Sequence, residues 1–137
     1  MIVQVPVSVG ELLDKMSILR IKLARMGDEV KRRNVRLELD GLELAAAALG
    51  LSHAMLEAAL DEVNGALWLI EDELRVLETR QDFGARFVEL ARAVYFTNDR
   101  RAELKRELNA HFGSALVEEK QYVDYAGGVP PAAAPGS

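Results

Sequence analysis

The segment LEAALDEVNGALWLIEDELRVL, residues 56–77, sets Leu56, Leu60, Val63, Leu67, Ile70, Leu74 and Leu77 at alternating steps of four and three. That spacing is the seam of an α-helix that packs in a bundle or coiled coil. A helix from Ser52 to about Arg80 would measure roughly 40 Å at ~1.5 Å per residue. So long an element in so short a chain implies a helical hairpin or a dimer.

On the N-terminal side, Asp28 can cap a helix that runs to about Leu49, with Val35, Leu39, Leu42, Ala46 and Leu49 on one side and Gly50 at its end. Its first turns carry Lys31, Arg32, Arg33 and Arg36. A basic start opposes the helix macrodipole, so these cations do not serve helix stability, and the plain reading is a solvated face. Before it, Ser8-Val9-Gly10-Glu11 has the form of a capping box and opens a helix from Val9 to Met26, with the stripe Leu12, Met16, Leu19, Leu23 and Met26. Ile2 to Val7 alternates, and Pro6 confines it to a short edge strand or an extended arm.

On the C-terminal side, Asp82 can cap a fourth helix that ends at Phe112, before Gly113-Ser114. The expected fold is an all-α, antiparallel helical bundle of three to four helices in a single domain over residues 1–126. A Gly/Pro/Ala tail over residues 127–137 is expected to be disordered.

Composition narrows the function. Half of the 137 residues are hydrophobic and 28% are charged, which suits one globular domain. A net charge of -5 argues against nucleic acid as the main partner, because backbone binding needs a basic face. No cysteine is present, so disulfides, thiolate metal sites and cysteine nucleophiles are excluded. The N-terminus lacks signal-peptide features, and LELAAAALGL is too short to span a bilayer and contains Glu43, so a cytoplasmic protein without a membrane partner is expected. Phosphate-loop, dinucleotide, serine-hydrolase and zincin motifs are missing.

The informative residues are polar ones in apolar seams. On the fourth helix Phe87, Ala91, Val94, Asn98, Arg101, Lys105, Leu108 and Phe112 keep the helical step, but the middle three are an amide and two cations. On the third helix Asn64, Trp68, Glu71, Arg75 and Glu78 form a parallel ridge beside the core positions, and the first helix adds Glu11, Asp14, Lys15 and Lys22. If these helices pack together, an unpartnered charge among them would cost several kcal/mol, so the groups must pair, reach water or hold a ligand.

Two readings follow. In one, Arg75, Arg101 and Lys105 clamp a carboxylate or phosphate, with Lys15, Trp68 and Asn98 completing the substrate-binding set. Glu11, Glu71 or Asp72 would then act as general acid or base, or hold a divalent ion. In the other, the same groups form a salt-bridge network that fixes helix register.

The runs VSVGELLDKMSILRIKL, NVRLELDGL, LWLIEDELRVLE, FVELARAVYFTNDRRAELKRELN and GSALVEEKQYVDY together resemble the small bacterial proteins catalogued as domain of unknown function family 6165, over about residues 5 to 125. That resemblance implies no assigned activity. It implies a pattern that includes the positions of Glu11, Asp14, Lys15, Lys22, Asn64, Trp68, Glu71, Asp72, Arg75, Tyr95, Asn98, Asp99, Arg101 and Lys105, and in the tail Glu118, Lys120 and Tyr122. A pattern weighted toward polar residues favours a site over packing alone. Leu69 stands where the family pattern has an acidic residue, and Ala93 where it has serine.

The expectation is therefore binding of, or catalysis on, a small anionic metabolite between helices 1, 3 and 4. The alternative is a helical interaction or scaffold protein whose buried polar residues are a structural network, and which forms a stable dimer, as a possible homodimer, or a partner complex that depends on Leu60, Leu67 and Leu74. A minor alternative is magnesium-dependent nucleotide or phosphate chemistry through Glu11, Asp14, Glu71 and Asp72; no other cofactor is expected.

Overall fold

The computed structural model describes residues 1–125 and Pro131, and the expected tail over residues 127–137 otherwise lies outside the described residues. Four helices follow in order: α1 Val9–Arg25, α2 Glu29–Ala48, α3 Ala54–Thr79 and α4 Ala85–Phe112. The protein is an all-α helical bundle, and no strand forms among the described residues. Met1 to Val7 precedes α1 as neither helix nor strand and is exposed throughout.

Local chemistry sets the helix ends. Ser8 Oγ accepts from Glu11 N–H at 3.1 Å and caps α1, and Asp28 Oδ1 accepts from Lys31 N–H at 2.9 Å and caps α2. Arg32 donates to the carbonyls of Leu23 and Met26, so one of the basic residues at the start of α2 closes the end of α1. The cap of α3 is His53 rather than Ser52, through a 3.2 Å bond from Leu56 N–H to Nδ1. Asp82 does not cap α4. Its carboxylate accepts from Gly84 N–H at 3.1 Å within the turn, and Gly84 is the cap residue, without a side-chain bond.

Packing divides the molecule into a base and an arm. α1 packs on α2, α3 and α4, and α3 packs along α4 as an antiparallel hairpin. The base core joins Leu13, Met16 and Leu19 of α1 to Leu39 and Ala46 of α2, Leu60 of α3, and Leu104 and Leu108 of α4. A second, smaller core of Ile70, Leu77, Leu90 and Ala93 holds the far half of the α3/α4 hairpin together. Ala93 sits in apolar surroundings there, which suits its lack of a hydroxyl. A shallow apolar groove of about 410 Å³, lined by Leu74, Arg75, Glu78, Phe87, Ala91 and Val94, runs along this arm. Of the stripe Leu60, Leu67 and Leu74, the first two are buried within a single chain, and Leu74 is half-buried and lines the groove.

α1 comes close against α4 at Gly10. A Cβ there would lie 2.5 Å from the carbonyl oxygen of Lys105 and 3.0 Å from Asn109 Oδ1. Gly10 N–H donates to that same Asn109 oxygen at 2.7 Å, and Val9 N–H donates to Ser114 Oγ at 3.2 Å. The first free donors of α1 are thus satisfied by the end of α4 rather than by water.

Gly10→Ala should therefore force α1 away from α4 and cost about 3 kcal/mol in urea unfolding, the upper end of ordinary overpacking. Gly65→Ala is the control. Its Cβ would meet nothing within 4 Å on α3, so it should stabilise by about 0.5–1 kcal/mol through helix propensity.

Candidate functional site

The polar positions meet where α1 crosses the α3/α4 hairpin. Asp14 has no exposed surface. Its carboxylate accepts from Asn64 Nδ2 at 2.9 Å, from Arg101 Nε at 3.0 Å, and from Arg101 Nη2. The same Asn64 amide donates to Ser17 Oγ at 3.1 Å, Ser17 donates to Asp61 Oδ1 at 2.6 Å, and Arg20 donates to Asp61 at 3.1 Å. A continuous polar chain therefore links all three helices, with Asp14 and Arg101 as its central pair.

Lys105 lies one turn beyond Arg101 on α4 and is 7% exposed. Its Nζ donates to Glu11 Oε2 at 2.7 Å, contacts Glu118 Oε2 at 2.6 Å, and stands 4.0 Å from Asp14 Oδ2. Glu11 is thereby diverted. Its backbone N–H receives the Ser8 cap, but its carboxylate reaches α4, so the reciprocal half of the capping box is replaced by an interhelix ion pair.

Glu118 arrives from a different kind of element. After Gly113, which takes the left-handed conformation at φ 62°, the chain turns back along α4 as a strap. Every residue from Ala115 to Asp124 is exposed. The strap's far end is held by Tyr125, whose ring packs edge-on against Tyr95 and Phe96 with centroids 5.3 and 4.8 Å away.

Electrostatics follow this geometry. Burial alone would lower the Lys105 pKa, but the bonds to Glu11 and Glu118 outweigh it and hold the ammonium above the ordinary lysine value. The bond from Lys105 holds Glu118 below the usual carboxylate range. The bond to Asp14 raises Arg101 further above its already high value.

The other sequence candidates fall elsewhere. Arg75 is exposed, pairs with Glu71 at 3.6 Å, and lines the apolar groove of the arm instead of joining Lys105. The expected three-cation clamp is thus two cations. Asp72 is exposed, and Lys15 pairs with Glu38 of α2 at 2.7 Å. Trp68 and Asn98 are half-buried, one turn from Asn64 and Arg101 respectively. Asp14 was absent from the expected binding set, and so were Ser17, Asp61 and Asn109, all of which the structure places in or beside this network.

Glu11 and Asp14 each face a cation, Glu71 faces Arg75, and no group of three metal-ligating side chains converges among the described residues. No helix of the described residues is long and apolar enough to cross a membrane. Comparison with family models, with curated proteins and with solved structures finds no match.

The two cations differ in what they leave behind when removed. Arg101→Met strands a fully buried carboxylate and should cost about 3–5 kcal/mol in urea unfolding. Lys105→Met keeps the buried stem and strands Glu11 and Glu118, whose side chains are 47% and 43% exposed, so it should cost less than about 1 kcal/mol.

The strap should also respond to pH. A carboxylate with a depressed pKa contributes above its unfolded value and loses that contribution as pH falls through the folded value. A lysine with a raised pKa contributes below its unfolded value and loses that contribution as pH rises through the folded value. The Glu118–Lys105 contact should therefore hold across neutral pH and open at both extremes. Backbone relaxation of residues 115–125, followed by NMR on acidification, should rise before α4 loses order.

Proposed function

We propose that the protein binds a small carboxylate- or phosphate-bearing metabolite at Lys105 and Arg101, with Glu118 acting as an internal stand-in for the ligand's anionic group. The observation that carries this reading is the ammonium of Lys105. It is fixed on a buried stem, yet it is shared with a carboxylate from a strap that is otherwise exposed.

Charge balance supports it. Asp14 and Glu11 on α1 match Arg101 and Lys105 on α4, one for one. Glu118 is the fifth charge, so an incoming anion can take its place without leaving a buried cation or carboxylate unmatched. Arg101 remains available for such a group. Its side chain is 27% exposed, and Asp14 uses only its Nε and Nη2 donors. In this reading Asn98 and Trp68, half-buried one turn along α4 and α3, would meet the rest of the ligand.

The ligand class follows from the donors. Lysine supplies a compact charge and arginine a directed edge, a pair suited to one oxyanion rather than to an extended polyanion. Glu11 holds the same ammonium and is the carboxylate nearest to a bound ligand, which makes it the first candidate for proton transfer if a reaction occurs. The resemblance to family 6165 adds Glu118, Lys120 and Tyr122 of the strap to the same polar pattern.

The test is a thermal-shift panel of sugar phosphates, nucleotides, nucleotide sugars and dicarboxylates against wild type, Lys105→Met and Glu118→Gln. A ligand present at ~100 times its dissociation constant adds about 2.7 kcal/mol and should raise the midpoint by several degrees. Glu118→Gln should bind more tightly because the internal competitor is weakened, and Lys105→Met should lose the response. Absence of a shift in both wild type and Glu118→Gln would remove this reading and leave the network purely structural.

A further inference from the structure

α2 carries a second apolar stripe that the fold does not use. Its inner side packs Leu39 and Ala46 into the base core, while Val30, Leu37 and Leu44 on the opposite side are 62%, 76% and 73% exposed. These three are spaced by seven residues, and Gly41 lies on the same outward face with nothing within 4 Å of where its Cβ would be. A heptad-spaced apolar line with a small residue between its leucines is the surface by which one helix seats against another.

The charges on α2 say what that other helix is. The first two turns hold Glu29 and the four cations Lys31, Arg32, Arg33 and Arg36, a net of +3. The rest of the helix holds Glu38, Asp40 and Glu43 and no cation, a net of -3. This order runs against the helix macrodipole at the basic end, so helix stability does not explain it. Arg32 is occupied with the end of α1, Glu38 pairs with Lys15, and Arg36 reaches Asp40 only at 4.0 Å. Lys31 and Arg33 make no ion pair among the described residues.

A helix that is basic in one half and acidic in the other is complementary to itself when reversed. We infer that the outer face of α2 binds the same face of a second copy of this chain, antiparallel about a two-fold axis near Leu37. Arg33 and Asp40 flank the stripe on one side, and Lys31 and Glu38 flank it on the other. The antiparallel register that sets Leu37 against Asn34 of the second copy also sets Val30 against Gly41, and it brings each Arg33 to the other copy's Asp40 and each Lys31 to the other copy's Glu38. A two-fold interface makes every one of these contacts twice. The inference stands apart from the anion site, which lies on the α4 side of α1.

Sedimentation equilibrium of the full chain from low to high micromolar concentration tests it, with Leu37→Glu, Arg33→Asp and the swapped pair Arg33→Asp/Asp40→Arg. Wild type should dimerise, and Leu37→Glu should be monomeric with an unchanged helical circular dichroism spectrum, since Leu37 is exposed in the single chain. Arg33→Asp should weaken the dimer roughly tenfold or more, because repulsion is introduced twice, and the swapped pair should restore most of it. A wild type that stays monomeric overturns the inference. So does a dimer indifferent to Leu37→Glu, which must use another surface, or a weakened Arg33→Asp dimer that the swap leaves weak, which rules out the antiparallel pairing.

Discussion

A carboxylate with no exposed surface must be neutralised where it stands, and Asp14 imposes that condition on every helix around it. Its bonds require Arg101 of α4 on one side and Asn64 of α3 on another, and Asn64 in turn requires Ser17 one turn along α1. An apolar interface tolerates sliding by a turn, because leucine against leucine is much the same in several registers. A buried carboxylate with three directed donors does not. The polar chain therefore fixes how α1 crosses the hairpin, and the leucines supply the cohesion around that crossing.

Gly10 and Glu11 extend the same constraint to the rim. With Asp14 anchored on Arg101, the start of α1 is driven onto α4 at Lys105 and Asn109, where only glycine fits. Glu11, next in sequence, is then delivered to the ammonium of Lys105. The site is thus a by-product of the crossing. The inner pair, Asp14 with Arg101, buries its carboxylate and sets the crossing, whereas the outer pair, Glu11 with Lys105, reaches the surface through Glu11 and shares its cation with the strap.

Much of this was legible in the sequence. The seam of Leu60, Leu67, Ile70 and Leu77 lies on the buried side of α3, because helical period and burial are the same fact read two ways. The interruption at Arg101 and Lys105 coincides with the part of α4 that meets the carboxylates of α1, since cations at seam positions must be answered by something. The partners were not legible. Asp14 was expected to meet a cation across helices, but not which one, and Ser17 was not singled out at all; what buries both is the crossing of a hairpin distant in sequence. Arg75 failed in the opposite sense. The ridge Asn64, Trp68, Glu71 and Arg75 keeps its period along α3, but α1 covers only its beginning, and periodicity does not show where a neighbouring helix stops. The strap was legible as an arm but not in its contacts, for Glu118 lies in an exposed charged run whose contact with Lys105 depends on how Gly113 turns the chain.

The division between Arg101 and Lys105 also explains why both residue types are present. A buried carboxylate with two free edges is best met by a planar fork that can donate twice in fixed geometry, and only arginine offers that. A cation that exchanged partners, as proposed for Lys105, would need the reverse properties. Lysine's ammonium has three equivalent donors and no preferred plane, so under that proposal Glu118 would leave and another oxyanion arrive without realigning the stem. The stem itself is buried, so its ordering would not have to be repeated. A rigid pair that sets the helix crossing, next to a single adaptable charge at its edge, would let a small bundle keep one fold while the proposed exchange opened and closed one of its ion pairs.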